Sequence, residues 1–287
     1  MSGVIITAAL TGAVTSRMDT PYVPLTKHEI AREAAACEAA GAAVVHLHLR
    51  DAEGSPRLGE EPFLELVEEV RVSTKALICL STSSWGTNAG VDERIAGLTA
   101  KPDLASFHVG SMNRGEALFL NSPEYQRALI EITKRNGVKP EFELFDLGQL
   151  ARAVEIHRES GYAEPFYAQF VLGVKGGCPA EPRHLLHMVE SLPPGAVWSV
   201  AAVGRMQLPM NLLGLILGGN IRTGLEDNVF LRRNVLAPGN AALVERIAGV
   251  ARELGREPVS PEDARGILGL GKNQVRRVKG EARSANP

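Results

Sequence analysis

The nonapeptide Ala-Val-Val-His-Leu-His-Leu-Arg-Asp at residues 43–51 decides the fold, because its apolar, β-branched start predicts a buried strand. Side chains two positions apart on a strand point to the same side, so His46 and His48 share one face. Two adjacent imidazoles on a buried face are typical of a site for one divalent metal ion, most often zinc. The alternative is that both are hydrogen-bonded core residues. A metal would need at least one further ligand from elsewhere in the chain.

Similar apolar runs recur along the chain, and most are followed by an amphipathic segment. Thr26, with Glu29 three residues later, predicts a capping box at the start of one of the helices. Eight strands alternating with helices predict a closed parallel (β/α)8 barrel, the TIM barrel, with a short additional C-terminal helix near residues 261–268. The rival is an open doubly wound sheet, but no Gly-x-Gly-x-x-Gly follows the first strand. The predicted strands are residues 4–9, 44–49, 76–81, 104–108, 139–144, 166–172, 197–202 and 220–223.

The length of 287 residues fits one barrel, because no internal repeat and no Pro- or Ser-rich linker divides the chain. We therefore expect a single catalytic barrel over residues 1–277 and a mobile polar tail over residues 278–287.

Charge and hydrophobicity exclude several classes of partner. Lys and Arg total 31 against 33 Asp and Glu, which predicts neither nucleic acid nor anionic membrane as a partner. No apolar run approaches the length of a bilayer span, and no basic region precedes the first apolar run as in a signal peptide. The three cysteines, Cys37, Cys79 and Cys178, form no disulfide framework. We expect a cytoplasmic location.

The active sites of barrels lie where the strands end and the following loops begin, and this rule selects the candidate residues. After the eighth strand, Glu226 can complete a zinc site of two histidines and one carboxylate with an open position. Asp227 and Arg222 could form a charge pair beside the metal, with Asp227 as general base. The alternative for this Glu-Asp-Asn run is a solvated turn.

Other strand ends carry polar groups with less specific patterns. Glu143 faces the lumen near the end of strand five, or is a surface acid beyond it. Three hydroxyls after strand three could hydrogen-bond a substrate carboxylate, although a helix N-cap explains one of them equally well. The loop at residues 173–177 combines backbone amides with a lysine and suits an anionic group such as a phosphate. His108 is expected to be a packed or hydrogen-bonded residue. The three hydroxyls belong to Ser81, Thr82 and Ser83, and the loop contains Lys175 and Gly176.

These motifs together resemble those of the β-keto acid cleavage enzymes, whose best-known type cleaves 3-keto-5-aminohexanoate in lysine fermentation. The resemblance covers about residues 3–270. The motifs that carry it are Thr-Gly-Ala at 11–13, His-Leu-His-Leu-Arg-Asp at 46–51, Ser-Phe-His-Val-Gly-Ser-Met-Asn at 106–113, Pro-Glu-Phe-Glu-Leu-Phe-Asp at 140–146, Gln-Phe-Val-Leu-Gly-Val-Lys-Gly-Gly at 169–177 and Gly-Gly-Asn-Ile-Arg-Thr-Gly-Leu-Glu-Asp-Asn at 218–228.

The resemblance implies a zinc-dependent barrel, usually a homotetramer. It implies that a β-keto acid and acetyl-CoA react to give acetoacetate and a new acyl-CoA. By the same resemblance, His46, His48 and Glu226 would hold zinc. Asp227, paired with Arg222, would be the base.

The resemblance also assigns roles to the remaining candidates. Glu143 would assist at the reacting centre, and the hydroxyls Ser81, Thr82, Ser83 and Ser106 would anchor the keto acid. Many members have Thr-Gly-Gly after strand three, where this chain has Ser-Thr-Ser-Ser. Val14 stands where the amino-substrate enzyme carries an acid, which implies a substrate with an uncharged side chain. Lys175, Gly176 and Arg205 would contact the phosphates or phosphopantetheine of CoA.

Two other functions remain open from the residues alone. One is another metal-dependent reaction on the same barrel, such as that of an aldolase or an amidohydrolase. Amidohydrolase-type barrels carry their histidine pair on strand one, and strand one of this chain has no histidine. The other is a non-catalytic barrel that binds a small ligand.

Overall fold

Eight parallel strands close into a barrel in the computed structural model, which describes residues 3–51, 54–85, 87 and 89–271. Each strand pairs with the next one along the chain, and the last pairs with the first. This confirms the predicted (β/α)8 class. The barrel strands are β1 Ile6–Ala9, β2 Val44–Leu47, β3 Leu77–Leu80, β4 Leu104–His108, β5 Lys139–Leu144, β6 Tyr167–Leu172, β7 Val197–Ala202 and β8 Asn220–Thr223.

Helices lie between successive strands and cover the barrel with their apolar faces. The predicted capping box is present at the first helix, where Thr26 accepts from the Glu29 amide and the Glu29 carboxylate accepts from the Thr26 amide. The helices are α1 Lys27–Ala40, α2 Glu60–Ser73, α3 Val91–Ala96, α4 Pro123–Asn136, α5 Leu147–Ser160, α6 Pro182–Glu190, α7 Gln207–Ile216, α8 Asn240–Glu253 and α9 Pro261–Ile267.

The amino-terminal end of the barrel is sealed by the predicted C-terminal helix α9. The Asp103 carboxylate accepts a hydrogen bond from the Ile78 amide (2.9 Å) and pairs with Arg265 of α9 (2.5 Å). Leu268, which follows α9, packs with Ile5 and other buried apolar residues of the strands at this end. As far as the described residues show, the carboxyl end of the barrel is therefore the end that stays open to a ligand.

Within the described ranges, three short antiparallel hairpins follow barrel strands, and the sequence patterns did not predict them. One pairs residues 49–50 with 56–57 after β2, and a second pairs 112–114 with 117–119 after β4. The third pairs 230–232 with 235–236 after β8. Residues of the second and third hairpins line the cavity at the open end of the barrel.

The predicted division into domains stays a prediction. The tail expected at 278–287 lies outside the described residues, as do the last residues assigned to the barrel, 272–277. Within the part of the chain that the structure describes, no helix combines the length and apolar character needed to cross a bilayer.

Candidate active site

A cavity of about 1070 Å³ opens at the carboxyl end of the barrel, where the sequence predicts the site. Its lining comes from loops and strand ends all around the barrel. Polar groups that face it include Ser81, Ser83, His48, His108, Arg114, Glu143, Arg222, Glu226 and Asp227.

The three predicted metal ligands lie together at the edge of this cavity. His46 Nε2 is 3.8 Å from Glu226 Oε2, and His48 Nε2 is 3.4 Å from Glu226 Oε1. One ligand atom from each residue fits within 4.8 Å of the others. Glu226 reaches β2 because the turn after β8 lies against β1: Gly224 has φ 145°, and a Cβ there would be 2.1 Å from the Ala9 carbonyl oxygen. The Glu226 amide in turn donates to that oxygen.

The protonation states of these groups fit a divalent metal ion. Burial lowers the pKa of His46 well below its usual value, which keeps the imidazole neutral and able to bind a metal. Burial opposes ionisation of Glu226, but the charge of Arg222 holds its pKa well below the usual range. Its buried Oε2 atom has no hydrogen-bond partner, although an ionised oxygen in such a place needs one. Two neutral imidazoles and one carboxylate are the donors of an open zinc site.

A second group of possible ligands shares His46 and lies deeper in the barrel with Cys79 and Glu141. Burial raises the pKa of Cys79 and of Glu141, which favours their neutral forms. The Cys79 thiol donates to Glu141 (3.4 Å), and neither residue lines the cavity. Because metal ligation needs the ionised forms, this second group fits a metal less well than the group at the cavity edge.

Arg222 on β8 is the hub of the charged cluster. Its Nε and Nη2 donate to the two carboxylate oxygens of Asp227 at 2.9 and 3.0 Å. Its Nη1 donates to Glu143 (3.0 Å), and its Nη2 also donates to Glu226 (2.6 Å). Burial disfavours the charge, but these three acids raise the pKa of Arg222 well above its usual value. One guanidinium thus fixes the orientation of all three carboxylates.

The two acids beside the metal ligands have raised proton affinities. Burial raises the pKa of Glu143 to about 8 despite Arg222. Its Oε2 is 3.4 Å from His108 Nδ1. Burial also raises the pKa of Asp227 against the opposing charge of Arg222. The raised pKa of Asp227 suits it to accept a proton, and the pKa of Glu143 suits its carboxyl group to donate a hydrogen bond at neutral pH.

The predicted hydroxyl cluster divides into two layers. Ser81 and Ser83 line the cavity. Thr82 and Ser106 are fully buried behind them, where the Thr82 amide donates to Ser106 Oγ (3.0 Å) and the Thr82 hydroxyl donates to the Ser106 carbonyl (2.7 Å). The Thr82 hydroxyl also contacts the Tyr125 hydroxyl (2.6 Å).

The other residues predicted to contact the substrate or CoA lie in the loops after β1, β6 and β7. Val14 and Arg205 line the cavity and are exposed. Lys175 and Gly176 are exposed and lie outside its lining. Gly176 has φ 96°, and a Cβ there would lie 1.8 Å from the Asn113 carbonyl oxygen, so this glycine lets its loop pack against the hairpin after β4.

Sequence reasoning missed several residues that line the cavity. Arg114, on the hairpin after β4, places its guanidinium carbon 4.5 Å from the centroid of the Trp85 ring. His108 lines the cavity while also lying 3.4 Å from the Ser106 hydroxyl. Three further arginines, Arg232, Arg233 and Arg246, come from the hairpin after β8 and from α8. Only the position of His108 at a strand end gave any signal in the sequence.

The family model described as beta-keto acid cleavage enzyme matches residues 3–270. A 3-keto-5-aminohexanoate cleavage enzyme of Fusobacterium nucleatum is 39% identical over 95% of this chain and 100% of its own. A 3-oxoadipate:acetyl-CoA acetyltransferase of Cupriavidus necator is 36% identical over 93% and 94%. The apo structure of ObcA, at 23% identity and a TM-score of 0.80 over 88% of this chain and 66% of its own, shares the fold.

Proposed function

The chain belongs to the beta-keto acid cleavage enzyme family, and from that premise we propose that it condenses a β-keto acid with acetyl-CoA and releases acetoacetate and a new acyl-CoA. This makes it a transferase that cleaves a carbon–carbon bond. The name of the Cupriavidus relative, which includes acetyl-CoA, supports the co-substrate. The observation that carries the proposal is Arg222 holding a base, a protonated acid and a ligand carboxylate beside two histidines.

The metal part of the proposal assigns one zinc ion to His46, His48 and Glu226. When bound, the ion supplies a Lewis acid that polarises the keto group of the substrate. The neutral imidazole of His46, the ionised carboxylate and the unpartnered Glu226 Oε2 support this assignment.

The proton transfer is assigned to Asp227. Its carboxylate accepts the proton from the carbon between the keto and carboxylate groups, and its raised pKa makes it a better base at neutral pH. Arg222 keeps the base oriented through two hydrogen bonds. The resulting carbanion attacks the carbonyl carbon of acetyl-CoA and expels the CoA thiolate, which adds to the keto carbon of the substrate. Cleavage of the bond between that carbon and the former carbanion carbon then releases the new acyl-CoA and the enolate of acetoacetate, which takes the proton back from Asp227. Glu143 assists by donating a hydrogen bond at the reacting centre.

The two layers of hydroxyl groups are assigned different roles in substrate binding. Ser81 and Ser83 would donate hydrogen bonds to the substrate carboxylate, because both line the cavity. Thr82 and Ser106 would support them from behind as positioning residues. On the CoA side, Arg205 would contact a phosphate at the rim. Lys175 and Gly176, in the loop after β6, would also contact the phosphates or phosphopantetheine of CoA.

The direct test is a panel of β-keto acids incubated with acetyl-CoA and the zinc-loaded protein. We expect acetoacetate and an acyl-CoA whose mass matches the side chain of the keto acid supplied. Bound metal without any acyl-CoA would favour another metal-dependent reaction, such as that of an aldolase or an amidohydrolase. Absence of stoichiometric metal, together with absence of turnover, would favour a non-catalytic ligand-binding barrel. A homotetramer and a cytoplasmic location stay predictions.

Val14 leads to a prediction about substrate charge. This exposed valine lines the cavity and offers no carboxylate to an ammonium group, so we expect an amino-bearing β-keto acid to be a poor substrate. Its kcat/KM should be about tenfold or more below that of the uncharged β-keto acid of the same length, since a charged hydrogen bond is missing. Val14→Glu should bring the kcat/KM of the amino-bearing substrate closer to that of the uncharged one. Efficient turnover of the amino substrate by the unaltered protein would contradict the prediction.

A further inference from the structure

Arg114 is a cation inside the cavity that the reaction proposed above does not use. It lies in the hairpin after β4, where its guanidinium is held over the Trp85 ring and lines the cavity. Among the described residues, it has no carboxylate within ion-pair distance and no hydrogen-bond acceptor. Arg222, at the centre of the charged cluster, instead has three acids in direct contact.

The surroundings of Arg114 are largely apolar, so a charge without a partner there is unfavourable in free energy. Phe119, Phe145, Val171 and Val174 form an apolar wall beside it. Burial lowers the pKa of Arg114, whereas the charges of Glu226 and Glu143 act in the opposite direction. An arginine nevertheless stays protonated in proteins, so its charge must be satisfied by water or by a ligand.

We propose, on the basis of the function proposed above, that Arg114 selects β-keto acids that carry a second carboxylate at the end of the side chain. A guanidinium over an aromatic ring keeps its in-plane N–H donors free, and their fork matches a planar carboxylate. The apolar wall beside it suits the methylene groups between the two ends of such a substrate. Val14 on the same cavity offers no acid that would repel the second carboxylate. The missing acid at this position argues only against a cationic side chain, so the proposal replaces the uncharged side chain expected from the sequence with an anionic one.

Two other roles for Arg114 make different predictions. It could bind the carboxylate that every β-keto acid carries, or it could balance the charges of Glu226 and Glu143 without touching substrate. If Arg114 had either of these roles, its replacement would lower kcat/KM for all β-keto acids alike. If Arg114 selects the substrate, its replacement lowers kcat/KM only for those with the second carboxylate.

The experiment compares 3-oxoadipate with 3-oxohexanoate, which have the same chain length and differ in the terminal carboxylate. We expect the unaltered protein to prefer 3-oxoadipate. Arg114→Gln should lower kcat/KM for 3-oxoadipate about 10- to 100-fold, mainly through KM, while the value for 3-oxohexanoate changes less than about twofold. Arg114→Lys should restore part of the preference. Arg127→Gln, on the exposed face of α4, removes an arginine far from the chemistry and serves as the control.

Several outcomes would overturn this inference. Equal losses on both substrates in Arg114→Gln would assign Arg114 to the common carboxylate or to charge balance. Turnover of 3-oxohexanoate without any preference for 3-oxoadipate would leave the proposed function intact and remove the selectivity role. If neither keto acid is turned over, calorimetry can measure the binding of adipate and hexanoate to the unaltered protein and to Arg114→Gln. Equal affinities of these two proteins for adipate would contradict the inference.

Discussion

Replacing Asp227 by asparagine should lower kcat by about 10²- to 10⁴-fold while the protein keeps its bound metal, because a general base contributes about this much. The amide has nearly the shape of the carboxylate but cannot accept a proton from the substrate. One of its atoms can still accept from Arg222, so the cluster should stay folded. Glu226 is unaltered in this variant, which is why metal content should not fall. The measurement is steady-state kinetics together with metal analysis of the same preparation.

Asp19→Asn is the matched control for this variant. Asp19 also lines the cavity, but its carboxylate accepts hydrogen bonds from Ser16 at the rim, away from Arg222. We expect its kcat to stay close to that of the unaltered protein. An Asp227→Asn protein that retained its full rate would remove Asp227 from the mechanism.

The second large effect is expected for metal binding in Glu226→Gln. An amide is a much weaker zinc ligand than a carboxylate, and loss of an outer-shell partner alone weakens metal binding about 10- to 100-fold. We therefore expect metal affinity to fall by at least about 100-fold, with a parallel loss of turnover at limiting metal. Competition with a chelator measures the affinity, and metal analysis after dialysis measures the content.

Glu141→Gln separates the two possible ligand groups in the barrel. Glu141 belongs to the deeper group with Cys79, while His46 is common to both groups. If the metal is held at the cavity edge, Glu141→Gln should keep its metal and Glu226→Gln should lose it. The reverse pattern would move the metal site into the interior of the barrel and leave the proposed chemistry without its Lewis acid.

The sequence was sufficient for the class of fold because the evidence for it is local. Short apolar runs alternate with amphipathic segments, and each pattern depends on neighbours a few positions apart. The capping box at Thr26 and Glu29 is local in the same way. The three hairpins were missed because each has strands of only two or three residues, too short to display a period.

The sequence predicted only part of the candidate site. The His46 and His48 pair could be recognised from a two-residue spacing, and strand-end positions drew attention to Glu143 and to the run after β8. The layering of the hydroxyls could not be foreseen, because Thr82 follows β3 and Ser106 lies on β4, and their contact depends on the register between these two neighbouring strands. Arg114 could not be foreseen either, because its direction is set by a hairpin and by Trp85, which is distant in the chain.

The sequence by itself determined a barrel, the open end at which chemistry occurs and the residue types available there. The tertiary structure alone decided that Arg222 binds three acids at once, how closely Glu226 approaches His46 and His48, and that Arg114 faces the cavity without an acidic partner among the described residues. The physical reason is that periodic patterns specify which face of an element is buried. Distances between residues far apart in the chain arise only when the sheet closes and the loops pack against each other.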